Sequence, residues 1–118
     1  LHTSQVNFLM ITTQLLIQDR FLPLQKKWIT AGSEPHFDIY LQKTSLDGLI
    51  FTLTQNQDHY EIFSTHSKVM LNGKKVFRST RLFFYDRIEW PGGAAIFLDG
   101  KIGKHSLTPL PTHQNSLR

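Results

Sequence analysis

TAGSEPHFDIYLQKTSLDGLIFTL (Thr30–Leu53), HYEIF (His59–Phe63) and VMLNGKKV (Val69–Val76) decide how this chain is read. Each piece is short, rich in β-branched and aromatic residues, and bounded by turn residues. Asn72-Gly73 stands between two brief apolar runs. It is the strongest local hairpin signal in the chain, because both residues accept a positive φ. Leu49-Ile50-Phe51-Thr52-Leu53-Thr54 reads as a strand, Gln55 to Asp58 as a polar turn, and His59 to Phe63 as the strand that returns.

Outward from this centre the period stays at two rather than 3.6. Gln14 to Ile17 and Phe21 to Leu24 are expected as the first strands, turning at Asp19-Arg20. Lys27 to Thr30 leads to a turn at Ala31-Gly32-Ser33, and Phe37 to Leu41 is strand again. Val69 to Leu71 pairs with Lys75 to Phe77. Arg81 to Tyr85, Arg87 to Trp90 and Ala94 to Leu98 complete the set, broken at Asp86 and at Pro91-Gly92-Gly93. About ten short strands at this spacing, with almost no helix, predict an all-β fold, an antiparallel β-sandwich. Alternation predicts Ile39, Leu41, Ile50, Leu53, Ile62, Leu71 and Ile88 in its core. Most of Phe51, Phe63, Phe77, Phe83, Phe84 and Trp90 should join them, while Phe83-Phe84-Tyr85 in a row must turn at least one ring outward.

The 118 residues suffice for one domain with a real core. A hydrophobic share of 40% against 19% charged is a globular balance rather than that of a disordered chain. The net charge of +4 is a mild basic bias that serves solubility. Without cysteine there is neither a disulfide framework nor a thiolate metal site, which fits a cytoplasmic setting. No apolar run approaches the roughly 20 residues of a membrane span. Residues 1–12 are expected to be an arm or remnant, 13–100 the sandwich, and 101–118 a polar, proline-containing linker or tail. The chain opens at Leu1 rather than Met and is read as an excerpt of a longer protein.

The order and spacing of these pieces resemble the forkhead-associated (FHA) domain family. Its pattern runs Gly-Arg, four variable residues, Asp-Ile-x-Leu, a loop, then Ser-Arg-x-His. Gly32, Asp38-Ile39-Tyr40-Leu41 and Leu49 to Leu53 fit that spacing without a gap. Asn72-Gly73-Lys74-Lys75-Val76 resembles a later Asn-Gly-x-x-Val. Leu82 to Ile88, with Asp86, resembles the closing Leu-x-x-Gly-Asp-x-Ile. The match spans roughly Trp28 to Leu98, and it implies an FHA/SMAD-like sandwich in which Gly32, Asp38, Asn72 and Gly73 are framework residues.

The departures bear on function. In the family, the arginine after the first glycine and the serine of Ser-Arg-x-His hold the phosphate of a phosphothreonine. Here those places are Ser33 and Asp47, with Gly48 next in line. The usual histidine is Ile50, and the asparagine of the first Asn-Gly is Ser67. A dianion needs charged or N–H donors, and an arginine fork outweighs a neutral hydroxyl. Asp47 would add a like charge. The resemblance therefore implies a degenerate member that docks partners through its loops at Gly32–Phe37, Gln42–Gly48 and Ser64–Lys68. Lys43, His66 and Lys68 are the loop residues able to meet a partner there.

Other chemistries find little support. The six histidines lack ligand spacing such as HxxxH; His36, Asp38 and His59 are one conceivable metal set, set against plain surface histidines, and we take the latter. No nucleophile elbow surrounds any serine. Gly92-Gly93 lacks the strand-loop-helix context of a phosphate loop. Neither an enzyme nor a cofactor is expected. The expected function is a phosphate-independent interaction or regulatory module within a larger bacterial-type signalling or secretion protein, with a protein partner in the same chain, an oligomer or another component. The alternatives are phosphothreonine-peptide binding through a rearranged pocket, and nucleic-acid binding by a small β domain. The latter is disfavoured because the lysines do not visibly interleave with aromatics on one strand face.

Overall fold

A computed structural model of the chain describes residues 13–100. Those residues form eleven strands and no helix. The strands are β1 (Gln14–Ile17), β2 (Arg20–Pro23), β3 (Trp28–Gly32), β4 (Ile39–Tyr40), β5 (Leu49–Asn56) and β6 (His59–Phe63). Then come β7 (Met70–Leu71), β8 (Lys74–Lys75), β9 (Thr80–Arg81), β10 (Arg87–Trp90) and β11 (Gly93–Leu98). One sheet has the order β2-β1-β11-β10-β7-β8, the other β4-β3-β5-β6-β9.

Alternation places the core between the two sheets. Ile29, Leu53 and Ile62 lie in register across β3, β5 and β6, and all three are buried. Leu15, Phe97, Ala95 and Ile88 face them from the other sheet. Phe51 and Trp90 close the two layers with ring centroids 5.6 Å apart. The Tyr60 hydroxyl is 3.0 Å from the Lys26 carbonyl, donating into the β2–β3 connection.

The period-two reading holds, with several corrections. Six of the seven expected core residues are buried, whereas Leu71 is only partly so, because its two-residue strand lies next to the sheet edge. The sandwich is not wholly antiparallel: β4 runs parallel to β3, pairing Ala31 with Ile39 and Gly32 with Tyr40. Ala31 and Gly32 belong to β3 rather than to a turn, and a bulge at that point ends the regular pairing. The strand expected over Arg81 to Tyr85 stops at Arg81, where the chain bends around the Asp86 carboxylate. Phe63, Phe77 and Phe83 are exposed, at 41%, 78% and 45%. Phe63 falls on the outer face by register, while Phe77 and Phe83 lie outside the strands, where alternation has no force. The arms at 1–12 and 101–118 lie outside the described residues.

Asn72-Gly73 makes the two-residue β7–β8 turn, with φ values of 53° and 85°. Open space surrounds the Gly73 Cα, so backbone strain alone opposes a side chain there. Gly73→Val is expected to cost about 1–3 kcal/mol, read as a lower melting temperature. An unchanged transition would contradict this account of the turn.

Candidate functional site

Three loops meet at one end of the sandwich: β3–β4, β4–β5 and β6–β7. They are joined to one another by their own backbone and small polar side chains. The Ser33 N–H donates to the Gly48 carbonyl (3.0 Å), and the Gly48 N–H donates to Ser33 Oγ (2.7 Å). This reciprocal pair fastens the first loop to the second. Gly48 holds a φ of +75°, which suits a glycine.

Gly32 is required for a different reason than a free backbone at a strand end. Its φ is ordinary, but a Cβ there would collide with the Phe37 ring and come within 2.6 Å of the Gly48 carbonyl oxygen. The Gly32 carbonyl also accepts the Leu41 N–H at 2.8 Å. Close approach of three segments thus selects the smallest residue.

Asp38 anchors the first loop back onto β3. One carboxylate oxygen is 2.7 Å from Lys26 Nζ, and the other accepts the Thr30 N–H at 2.9 Å. The Lys26 hydrogen bond, supported by the Thr30 amide, holds its carboxyl below the usual carboxylate range. His36 and His59 do not join it: His36 lies 3.4 Å from Glu34, and His59 Nε2 lies 2.9 Å from Glu61. Among the described residues no group of three or more His, Cys, Asp or Glu could hold a metal ion.

The third loop is tied to the start of β5. His66 Nε2 lies 3.1 Å from the Leu49 carbonyl, and since a carbonyl only accepts, that nitrogen carries the proton. Buried Ser64 donates to the Ile50 carbonyl and accepts the His66 N–H at 3.0 Å. Neither role was read from the sequence, although a Ser followed two residues later by a bonded N–H is a recurrent local pattern. A fourth element, also unread, joins this end. The β10–β11 turn presses Gly92 against the Lys43 carbonyl, leaving no room for a Cβ.

Lys43, Asp47, Ser67 and Lys68 are exposed and form no ion pair among the described residues. Asn72 and Gly73 lie elsewhere, beyond the start of β10, where Asn72 bonds Asp86 and Arg87. At the loop end Lys43 and Lys68 stand against Glu34 and Asp47, and exposed Arg20, at the start of β2, lines a small cavity with Tyr40, Gln42 and Lys43. Ser33 Oγ is already engaged as an acceptor. Two apolar side chains are open to solvent close by: Tyr40 at 41% and Leu49 at 45%.

No protein-family model matches the sequence. A comparison with curated proteins likewise finds no match. Solved structures do match in fold. The FHA domain of the CT664 protein from Chlamydia trachomatis aligns with TM-score 0.67 at 16% identity, over 75% of this chain and 97% of that one. EmbR from Mycobacterium tuberculosis, solved in complex with a low-affinity phosphopeptide, aligns at 0.68 and 17%, over 81% of this chain but 29% of EmbR. The cytoplasmic domain of the type III secretion sorting-platform protein PscD from P. aeruginosa aligns at 0.64 and 12%, over 75% and 80%. The chain has the FHA fold.

Proposed function

We propose that this chain is a protein-interaction module whose loop end docks a partner without reading phosphothreonine. The observation that carries this is the pair of bonds between Ser33 and Gly48. The position that would offer an arginine fork instead fastens two loops together, and Asp47 stands exposed beside it. Structures sharing the fold include a phosphopeptide complex and a cytoplasmic secretion-platform domain, which supports an interaction role rather than an enzymatic one. We read the partner as a protein surface, in the same chain, in an oligomer or in another component, and the setting as cytoplasmic. No helix among the described residues is long and apolar enough to cross a membrane. Residues 13–100 act as the folded unit in this proposal.

Calorimetric titration with a degenerate phosphothreonine peptide library, against its unphosphorylated counterpart, tests the phosphate claim. Lost charge-assisted contacts are worth roughly 1.5–3 kcal/mol each, so dissociation constants beyond about a millimolar are expected for both. Micromolar binding that requires the phosphate, and weakens on Lys43→Ala or Lys68→Ala, would establish the rearranged-pocket alternative instead.

A further inference from the structure

Between residues 74 and 87 lie Lys74, Lys75, Arg78, Arg81 and Arg87, with Asp86 the one acid of that stretch and Glu61 opposite Arg81 on the neighbouring strand. Asp86 is buried and accepts hydrogen bonds from Asn72 and Phe83, while Lys74 and Lys75 carry their charges in the open. Arg87 pairs with Glu89 at 3.1 Å. Lys74, Lys75 and Arg78 are exposed and have no ion pair among the described residues.

Lys74 and Lys75 border a cavity of about 590 Å³, whose lining also includes the Asp86 carboxylate. Strand β8 contributes Lys74 and Lys75, β9 contributes Thr80, and Tyr85 closes one side. Leu71 and Val76 supply an apolar lining. β8 and β9 are the outer strands of the two opposed sheets, so the sandwich is open along this side. The connection between them carries Phe77, 78% exposed. A cavity of this size can take one or two apolar side chains. An edge strand also presents backbone N–H and C=O groups to an added strand.

We infer that this open side is a second docking surface, for an extended acidic peptide segment of a partner protein bearing an apolar residue. Its carboxylates meet Lys74, Lys75 and Arg78, while its apolar side chain enters the cavity against Leu71 and Val76. Charge complementarity commits the occupant to an acidic one. A single-stranded nucleic acid fits less well, because it stacks successive bases on several free ring faces, and of the rings here Phe77 alone is engaged with no other side chain among the described residues. Arg81 already covers the Phe83 ring at 4.9 Å, and the Phe84 and Tyr85 rings pack on one another with centroids 4.4 Å apart. This inference is independent of what the loop end binds.

The test uses fluorescence anisotropy at low salt with three labelled probes: a ten-residue peptide of glutamates around a central Leu-Phe pair, the same peptide with lysines for glutamates, and oligo(dT). The acidic peptide is expected to bind with a dissociation constant in the tens of micromolar. The Lys74→Glu/Lys75→Glu variant should weaken it about tenfold or more, and rising salt should weaken it as well. Lys43→Ala/Lys68→Ala, at the loop end, should leave it unchanged, which separates failure here from failure of the proposed function. Circular dichroism melting shows that each variant is folded; if the double charge reversal does not fold, Arg78→Ala with Phe77→Ala replaces it. No saturable acidic-peptide binding, or binding insensitive to these variants, would overturn the inference. Tighter binding of oligo(dT), lost in the same variants, would overturn it in favour of a nucleic-acid surface.

Discussion

Replacing Asp86 with alanine is expected to cost about 3 kcal/mol, a fall in melting temperature on the order of 15 °C for a domain of this size. Asp86 is 2% exposed, yet it connects three segments. One carboxylate oxygen accepts Asn72 Nδ2 at 2.9 Å, and the other accepts the Phe83 N–H at 2.6 Å. Its backbone completes the junction by accepting the Phe97 N–H at 2.9 Å. Alanine would take the acceptor from two part-buried donors, and hydrogen bonds to a charged group contribute roughly 1.5–3 kcal/mol each. Asp86→Asn keeps the shape and one acceptor, so it should lose distinctly less. Thermal unfolding of the two variants decides the matter. Equal losses, or a fall of under about 5 °C for alanine, would show that the carboxylate is not what holds the junction.

Gly92→Ala should be of comparable size, about 2–4 kcal/mol. Gly92 has a φ of +105° and its Cα faces the Lys43 carbonyl with no space for a methyl group. Strain and collision thus act together. Gly48→Ala provides the comparison, because Gly48 also has a positive φ (+75°) but nothing lies within 4 Å of the added carbon. It should lose only about 1 kcal/mol. Chemical denaturation of both proteins gives the difference, which measures the close approach of the β10–β11 turn to the β4–β5 loop. Equal losses would mean that the β10–β11 turn does not press on the β4–β5 loop as described.

The strands were legible wherever alternation and turn chemistry agreed. His59–Phe63 and Arg87–Trp90 were read with their observed bounds, since each is flanked by residues unsuited to strands. Phe77, Phe83 and Tyr85 were harder. Phe77 sits in the β8–β9 connection, Phe83 and Tyr85 in the β9–β10 connection that the Asp86 carboxylate holds, and a residue outside a strand has no face that its neighbours predict. Tyr85 takes the place of the family's glycine and adopts a φ of 72°, a conformation its own side chain disfavours and only its surroundings impose. At the loop end the sequence offered Ser33, Asp47 and Ser67 as candidate positions. That Ser33 bonds Gly48, and that His66 reaches the Leu49 carbonyl, was not legible, because those partners are 15 and 17 residues away.

Local chemistry is what the sequence alone determined. Period-two patterning demands sheets, and Asn72-Gly73 demands a tight turn. Tertiary structure alone decided which distant segments share a surface. The parallel β3–β4 pair, the contact of Gly92 with Lys43 and the gathering of Lys74, Lys75 and Tyr85 around one cavity all arise between residues far apart in the chain. Such contacts depend on how two twisted sheets pack and where their edges end. No single stretch of sequence encodes that arrangement, because each contact depends on a partner that the rest of the fold must first bring into place.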